Sequence, residues 1–354
     1  MKRTVVALPL ALALAACVDS PEVGQDESAV VNGNGDACPK LGCSSNSAYL
    51  GPTEFHELEE TGTYANAEGL YLKGLVKNGV TWRPDVTGTV LIGYRWVLVG
   101  GMLTRQTLSG ANLVNAELVV KNGDGSLEYR IKITNASQNQ QFWQAPLTYV
   151  NTYELKWTQV VPADSGDFVP VCKNPPNPES EDGPIQNTIE SILFTGDRYD
   201  TDTLTVTAST PAEATTWFNI GCAGTVLAKL ALNRHTDATK STQVTTSRAR
   251  RQAMLKMYTS DVCGTGDALT VSGTPLRWWN YENTLTSKVI PTASKEALWT
   301  ANGAICLDVH RLNGTANDMT KQIADACKRA DRPVPPRCSD VTGAWDFRTE
   351  SQAQ

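Results

Sequence analysis

The cysteines of this chain constrain its fold more than any other feature of the sequence. Nine are present, and the first, Cys17, ends an N-terminal apolar segment. The other eight are Cys38, Cys43, Cys172, Cys222, Cys263, Cys306, Cys327 and Cys338. An even number of cysteines in an exported protein predicts disulfide bonds, and on the order of a hundred pairings of eight are possible.

The first seventeen residues indicate export and attachment to lipid. Lys2 and Arg3 precede the apolar run Val5 to Ala16, which is shorter than the roughly 20 residues of a transmembrane helix and has the layout of a signal peptide. Its end, Leu14-Ala15-Ala16-Cys17, resembles the bacterial lipobox, in which the cysteine is acylated. The alternative is an ordinary signal peptide with a chance cysteine. Because Val18 rather than Asp follows, we predict an anchor in the outer membrane.

Composition and motifs exclude several classes of function. The net charge of −6 and the pI near 5.3 argue against a nucleic-acid-binding protein, which needs a basic surface. The chain has three histidines, His56, His235 and His310, and their spacing fits no metal motif. It also lacks a Gly-x-Ser-x-Gly elbow and a phosphate loop. The sequence therefore predicts no cofactor, no metal site and no catalytic residue, and favours a protein that is not an enzyme.

Composition shifts divide the chain into a signal peptide (1–16), a flexible acidic tether (17–37), a β-rich domain (38–165), a second domain (166–345) and a loose tail (346–354). In the β-rich domain, strand-like runs cover 70–72, 90–92, 96–99, 116–120, 129–133 and 152–161, and a hairpin turn covers 121–125. We predict an α+β fold: an N-terminal antiparallel β sandwich or small barrel, followed by a disulfide-braced α+β domain with two adjacent helices.

In the second domain the apolar spacing predicts helices over 220–232, 247–258 and 317–330, with Ser247 as a cap of the second. Glu296 to Trp299 is predicted to be a short helical piece. Strands are predicted at 192–194, 203–207 and 304–307, and a hairpin pairs 268–271 with 276–279 around Ser272-Gly273-Thr274-Pro275.

Several segments between about residue 38 and residue 340 resemble a known family. Ser260-Asp261-Val262-Cys263-Gly264 is similar to the motif Ala-Asp-Tyr-Cys that names the ADYC-domain proteins, with two of the four residues matching. The supporting segments are Cys38 to Ser47, Val169 to Cys172, Trp217 to Lys229, which is similar to the family's first helix, and Gln252-Ala253-Met254. The resemblance implies a bacterial cell-envelope protein of a family without an assigned activity.

Two departures from the family imply a contact between helices. Related chains often carry cysteines where this sequence has Leu230 and Met254. If those cysteines pair in the relatives, the resemblance implies that Leu230 lies near Met254 here and that an apolar contact replaces the bridge. Val262 stands in place of the motif tyrosine, so a tyrosine hydroxyl is not required in this chain.

Two classes of function remain after these exclusions. The first is an exported hydrolase or thiol enzyme with Cys263 as nucleophile, His235 as base and Asp261 or Asp237 as orienting group. Export argues against it, because exported thiols are commonly oxidised. The second, which we prefer, is a non-catalytic binding or structural module that is anchored through Cys17 and contacts an envelope protein or glycan. Trp278, Trp279 and Tyr281 are the candidate aromatic platform of this module.

Three local clusters permit a ligand but have simpler explanations. Asp197, Asp200 and Asp202 could hold calcium, although turns often have this composition. Arg248, Arg250 and Arg251 could bind phosphate or form a solvent-exposed face. Cys38 and Cys43 could belong to a zinc knuckle or close a small disulfide loop.

Overall fold

The protein is mainly β. The computed structural model describes residues 48–51, 53–140, 149–162, 166–172, 190–207, 216–233, 246–270, 274, 276–280, 293–313 and 319–351. Outside these residues lie the segments predicted to be a signal peptide and a tether, and also Cys17, Cys38, Cys43, His235, Asp237 and Tyr281.

The described residues form nineteen strands, three α-helices and two short 3-10 helices. The strands before residue 165 are β1 (Tyr49–Leu50), β2 (Thr53–Glu54), β3 (Glu57–Glu59), β4 (Leu70–Lys77), β5 (Val80–Thr87), β6 (Val90–Val99), β7 (Met102–Ser109), β8 (Glu117–Asn122), β9 (Glu128–Gln140) and β10 (Tyr149–Val161). The later strands are β11 (Val169–Pro170), β12 (Glu190–Thr195), β13 (Arg198–Asp200), β14 (Thr205–Thr207), β15 (Trp217–Cys222), β16 (Leu276–Asn280), β17 (Ser294–Thr300), β18 (Gly303–Leu307) and β19 (Phe347–Ser351). The helices are α1 (Val226–Leu232), α2 (Arg248–Thr259) and α3 (Thr320–Arg329), and the 3-10 helices are Gly110–Leu113 and Cys338–Asp340.

Eleven of these strands form one antiparallel sheet. Its order is β3-β15-β12-β10-β9-β8-β4-β5-β6-β7, and β11 pairs with β10 beside this path. A second sheet has the order β16-β19-β17-β18, and β1–β2 and β13–β14 are two-stranded. In the large sheet, strands such as β8 alternate, with Leu118 and Val120 buried and Val119 between them half-buried, as the two-residue period of a strand requires.

Two large clusters of buried side chains, and a small third one of Leu298, Cys306 and Cys338, hold the described residues together. The first is built from the large sheet and includes Leu75, Leu118 and Ile131. The second joins the helices to the four-stranded sheet and includes Leu230, Met254 and Trp299. Each of α1 and α2 packs most extensively on a strand, α1 on β15 and α2 on β17. None of the described helices is long and apolar enough to cross a membrane.

The predicted α+β fold class is wrong. No sandwich or small barrel ends near residue 165, because β12 and β15 continue the same sheet that begins in the N-terminal half. The predicted α+β domain with two adjacent helices is instead β-rich, with three helices placed against two sheets. The strand predictions between residues 70 and 161 and the helix capped by Ser247 are confirmed, since the Ser247 side chain accepts the Arg250 N–H at 3.2 Å.

The first predicted helix is wrong over its opening residues. Trp217–Cys222 is strand β15, and the helix begins only at Val226. All six residues of β15 are buried, because the strand lies between β3 and β12 and is covered on both sides. A strand buried on both sides lacks the apolar–polar alternation that identifies a half-buried strand, so its apolar residues fit a helical spacing by coincidence.

Three further predictions fail in the segments that form β16, β17 and β19, because these strands pair with partners that are distant in the chain. Glu296 to Trp299 is not helical but lies in β17, where four consecutive residues are buried. Phe347–Ser351 is not a loose tail, since β19 pairs with both β16 and β17. Leu276–Asn280 pairs with β19, and no strand forms at 268–270 among the described residues, so the predicted hairpin is absent there.

Candidate functional site

The motif Asp261-Val262-Cys263-Gly264 begins where α2 ends. Ser260 adopts a left-handed conformation, with φ of 54°, and stops the helix. The Asp261 side chain, which is fully buried, accepts hydrogen bonds from the backbone N–H groups of Thr265 and Gly266, each at 2.9 Å. The ammonium group of Lys256 lies 2.6 Å from the same carboxylate and is also buried. The motif aspartate therefore holds a tight loop and balances a buried charge.

Gly264 is required by the close approach of a second loop. Its φ is +70°, and a Cβ atom at this position would lie 2.6 Å from the carbonyl oxygen of Asn302. Arg332 donates hydrogen bonds to that carbonyl and, at 2.9 Å, to the carbonyl of Cys263. A side chain at position 264 would separate these groups, which explains why glycine follows the motif cysteine here.

Cys263 is joined to Cys327 of α3 by a disulfide bond. The hypothesis that Cys263 is a free nucleophile is therefore wrong, because a bridged sulfur has no thiolate to attack with. Two other disulfide bonds, Cys172–Cys222 and Cys306–Cys338, occur in the described residues. The prediction that the chain contains disulfide bonds is confirmed.

An open groove of about 880 Å³ lies beside the motif. One wall is the exposed side of α2 and the other is the end of α3 with the segment that follows it. The cationic side chains that line the groove are Arg248, Lys256, Arg329 and Arg332. Polar groups of Thr205, Gln252, Thr265 and Asn302 lie between them.

The groove has more positive than negative charge. Two of its four cations have carboxylate partners, Lys256 with Asp261 and Arg329 with Asp267 at 2.5 Å. Among the described residues, Arg248 donates hydrogen bonds to the carbonyl of Val206, and Arg332 donates to the carbonyls of Cys263 and Asn302. These carbonyls fix the two guanidinium groups but do not neutralise them. Each guanidinium retains further N–H donors, so the groove is suited to binding an anion.

Comparison with known sequences identifies the family. Residues 110–313 match the ADYC domain, which is more than half of the chain. The chain belongs to the ADYC domain family. No curated protein and no solved structure matches it. The match begins well before residue 166, the predicted start of the second domain. It ends before α3, so Arg329 and Arg332 lie beyond the matched residues.

Of the three neighbouring arginines Arg248, Arg250 and Arg251, only Arg248 lines the groove. Arg251 is buried and forms a two-point ion pair with Asp197 at 2.5 and 2.9 Å. The three arginines together therefore form neither the predicted phosphate site nor the predicted solvent-exposed face. Because Arg251 holds Asp197, and Asp200 accepts the backbone N–H groups of Asp202 and Thr203, the candidate calcium ligands have other partners. No group of three His, Cys, Asp or Glu in the described part could hold a metal ion.

Ser260, His310 and Glu296 are close together but are not arranged as a catalytic triad. The Nδ1 atom of His310 accepts the Leu312 N–H at 3.2 Å, so the proton of the neutral ring lies on Nε2. That N–H points at the Ser260 hydroxyl, 3.0 Å away, and leaves no lone pair to deprotonate it. Glu296 accepts two bonds from the side chain of Arg311.

The environment of these three residues keeps the histidine neutral. Burial lowers the pKa of His310 to about 4, against the smaller opposing effect of the Glu296 charge. Burial alone would raise the pKa of Glu296, but the adjacent Arg311 charge and hydrogen bonds lower it below its ordinary value. All three side chains are fully buried, so we interpret this cluster as a structural polar network.

The predicted aromatic platform is wrong for its two described members. Trp278 and Trp279 are only 4% and 7% exposed. Trp278 packs edge-on against Phe347, with ring centroids 5.6 Å apart, and Arg277 and Arg348 lie over the ring of Trp279. Their surfaces are therefore occupied by the protein itself.

The sequence analysis missed Lys256, Asn302, Arg329 and Arg332 as groove residues. The information that would have found the two arginines is the Cys263–Cys327 pairing, which places the residues after Cys327 beside the motif. Leu230 and Met254 are both fully buried in one core cluster.

Proposed function

We propose that this protein is a non-catalytic module of the bacterial cell envelope, attached to the outer membrane through Cys17, that binds an acidic glycan in the groove beside the ADYC motif. The observation that supports the ligand class is the pair Arg248 and Arg332, which both line the groove and have carbonyl rather than carboxylate partners among the described residues. A chain with a net charge of −6 that concentrates positive charge in one cleft focuses the electrostatic field there. The groove is open, which suits an extended ligand.

The absence of a usable nucleophile supports binding rather than catalysis. Cys263 is bridged, and Ser260 faces a protonated ring nitrogen in the described part of the chain. Arginine is the side chain best suited to this role, because its planar donors recognise carboxylate, sulfate and phosphate groups with two hydrogen bonds.

Replacing both Arg248 and Arg332 with alanine is expected to weaken binding of a heparin octasaccharide, a polyanionic probe, on the order of a hundredfold, because each charged hydrogen-bonding group contributes about 1.5–3 kcal/mol. Isothermal titration calorimetry measures the affinity, and a neutral dextran of the same length should not bind. Arg83→Ala, which removes an exposed arginine of β5, is the matched control and should leave the affinity unchanged. Equal binding by the double variant and the control would contradict the proposal.

The anchor is supported by two observations of different kinds. Leu-Ala-Ala-Cys ends an export signal at Cys17, and the three disulfide bonds suit an oxidising compartment. A single acyl chain gives marginal attachment, whereas several on one cysteine give a stable anchor.

Cys17→Ser is expected to abolish acylation and to make the protein extractable from membranes by alkaline carbonate. Mass spectrometry of the N-terminal peptide and immunoblotting of carbonate-washed membranes measure these two effects. Val18→Ala, which preserves the cysteine, is the control and should remain acylated and resistant to extraction. A Cys17→Ser protein that still resists carbonate would refute a lipid anchor at this residue.

A further inference from the structure

The hairpin of β6 and β7 extends beyond the large sheet. The ladder between β5 and β6 runs from Thr87 and Val90 to Arg83 and Tyr94. The ladder between β6 and β7 continues from there to Val99 and Met102. From Arg95 to Gln106 the two strands therefore form a two-stranded ribbon, which ends in the Gly100-Gly101 turn.

The end of this ribbon is apolar on both of its faces. Leu98 pairs with Leu103 on one face, and Val99 pairs with Met102 on the other, because neighbouring residues of a strand point to opposite sides. Leu98, Leu103 and Met102 are 72%, 65% and 74% exposed. A ribbon that packs on a flat protein surface needs only one apolar face, so exposure of both faces indicates an environment that surrounds the tip.

A belt of aromatic and basic side chains lies immediately behind the apolar tip on each face. On the face of Leu98, Arg105 lies 4.5 Å from the ring centroid of Tyr94 and pairs across the strands with Trp96. On the other face, Arg95 lies 4.7 Å from the ring centroid of Trp82. Asp85 is 3.6 Å from Arg105, and its charge offsets part of that side of the belt.

We propose that residues 97–103, the hairpin tip, insert into the interfacial region of a lipid bilayer that contains anionic headgroups. Aromatic residues and arginines occupy the boundary between lipid tails and water, and anionic headgroups complement the two arginines. Four residues of strand from Trp96 to Val99 span about 10–13 Å, which matches the roughly 5–10 Å depth of an interfacial segment. A second copy of the chain could cover one face of the tip but not both, so the bilayer is the occupant that the pattern favours.

The position of the tip is tested with an environment-sensitive fluorescent amino acid at Met102 of the full chain carrying Cys17→Ser. Vesicles of phosphatidylethanolamine and phosphatidylglycerol are expected to shift its emission to the blue. The same amino acid at Gly123, an exposed turn where an added Cβ would lie 3.7 Å from its nearest neighbour, is the control and should not shift. Vesicle binding with an unshifted label at position 102 would overturn the proposal.

The contribution of the tip to binding is tested by flotation with the same vesicles. Leu98→Asp with Met102→Asp places a charge on each face and is expected to reduce vesicle binding on the order of a hundredfold, with an unchanged circular dichroism spectrum.

Arg95→Ala and Arg105→Ala should each weaken binding to anionic vesicles about fivefold and leave binding to phosphatidylcholine vesicles unchanged. Undiminished flotation of the double aspartate variant, or a dimer in vesicle-free solution that depends on Leu98, would overturn the proposal.

Discussion

Asp261→Ala is expected to lower the free energy of unfolding by about 3–5 kcal/mol, because it leaves the buried ammonium group of Lys256 without its counter-charge. The Lys256 side chain is 4% exposed and lies 2.6 Å from the carboxylate. The ammonium group also donates a hydrogen bond to the carbonyl of Thr203 at 3.2 Å, but this oxygen carries no full charge. The substitution also removes the acceptor for two backbone N–H groups. Chemical denaturation followed by circular dichroism measures the loss.

A double variant separates the two causes. Lys256→Met with Asp261→Asn removes the buried charge and keeps an acceptor for the loop, so it should recover most of the stability. Asp325→Ala is the control for a surface ion pair, since Asp325 and Lys321 are 3.9 Å apart and largely exposed, and such pairs contribute below about 1 kcal/mol. Equal destabilisation by Asp261→Ala and the double variant would show that the unpaired lysine is not the cause.

This result would define what the motif does in the ADYC family. Asp261 and Gly264 hold a loop, Cys263 forms a bridge, and Val262 is buried in the same core cluster as α2. Val262 has no hydroxyl group, so a buried apolar side chain is sufficient at the position of the tyrosine. We infer that the named motif is structural in this chain and that the residues exposed in the groove carry the recognition.

The sequence predicts the local elements where a single physical rule dominates. Alternating strands such as β4, β8 and β9 have one buried and one solvated face, and the two-residue period reveals them. Helix α2 begins at Ser247 because its hydroxyl supplies an acceptor for a free N–H at the first turn. These predictions depend on residues that are close in the chain.

The fold class was not accessible in the same way, because it depends on which distant strands pair. β15 joins β3 across more than 150 residues, and β19 joins β16 and β17 from the far end of the chain. The groove has the same difficulty: three strands of the four-stranded sheet, β16, β17 and β18, lie between Arg248 and Arg332 in sequence. Their meeting depends on one disulfide pairing that the cysteine count leaves open.

Removal of the Cys263–Cys327 bridge is therefore expected to affect both stability and binding. The two cysteines are 64 residues apart, and closing a loop of this length in the unfolded chain corresponds to about 4 kcal/mol. Cys263→Ala with Cys327→Ala should lower the free energy of unfolding by roughly that amount. Because the bridge also fixes α3 against the motif, the affinity of the folded protein for the heparin octasaccharide should fall by about tenfold or more.

The Cys306–Cys338 bridge provides the matched control for this experiment. Its cysteines are 32 residues apart, so its removal should cost a similar free energy. It joins β18 to the 3-10 helix at Cys338–Asp340, and neither cysteine lines the groove. Both double alanine variants should lose stability in chemical denaturation, but only the Cys263–Cys327 variant should lose affinity under conditions where it is folded. If both variants bind the octasaccharide as the wild type does, the Cys263–Cys327 bridge does not position the groove for binding.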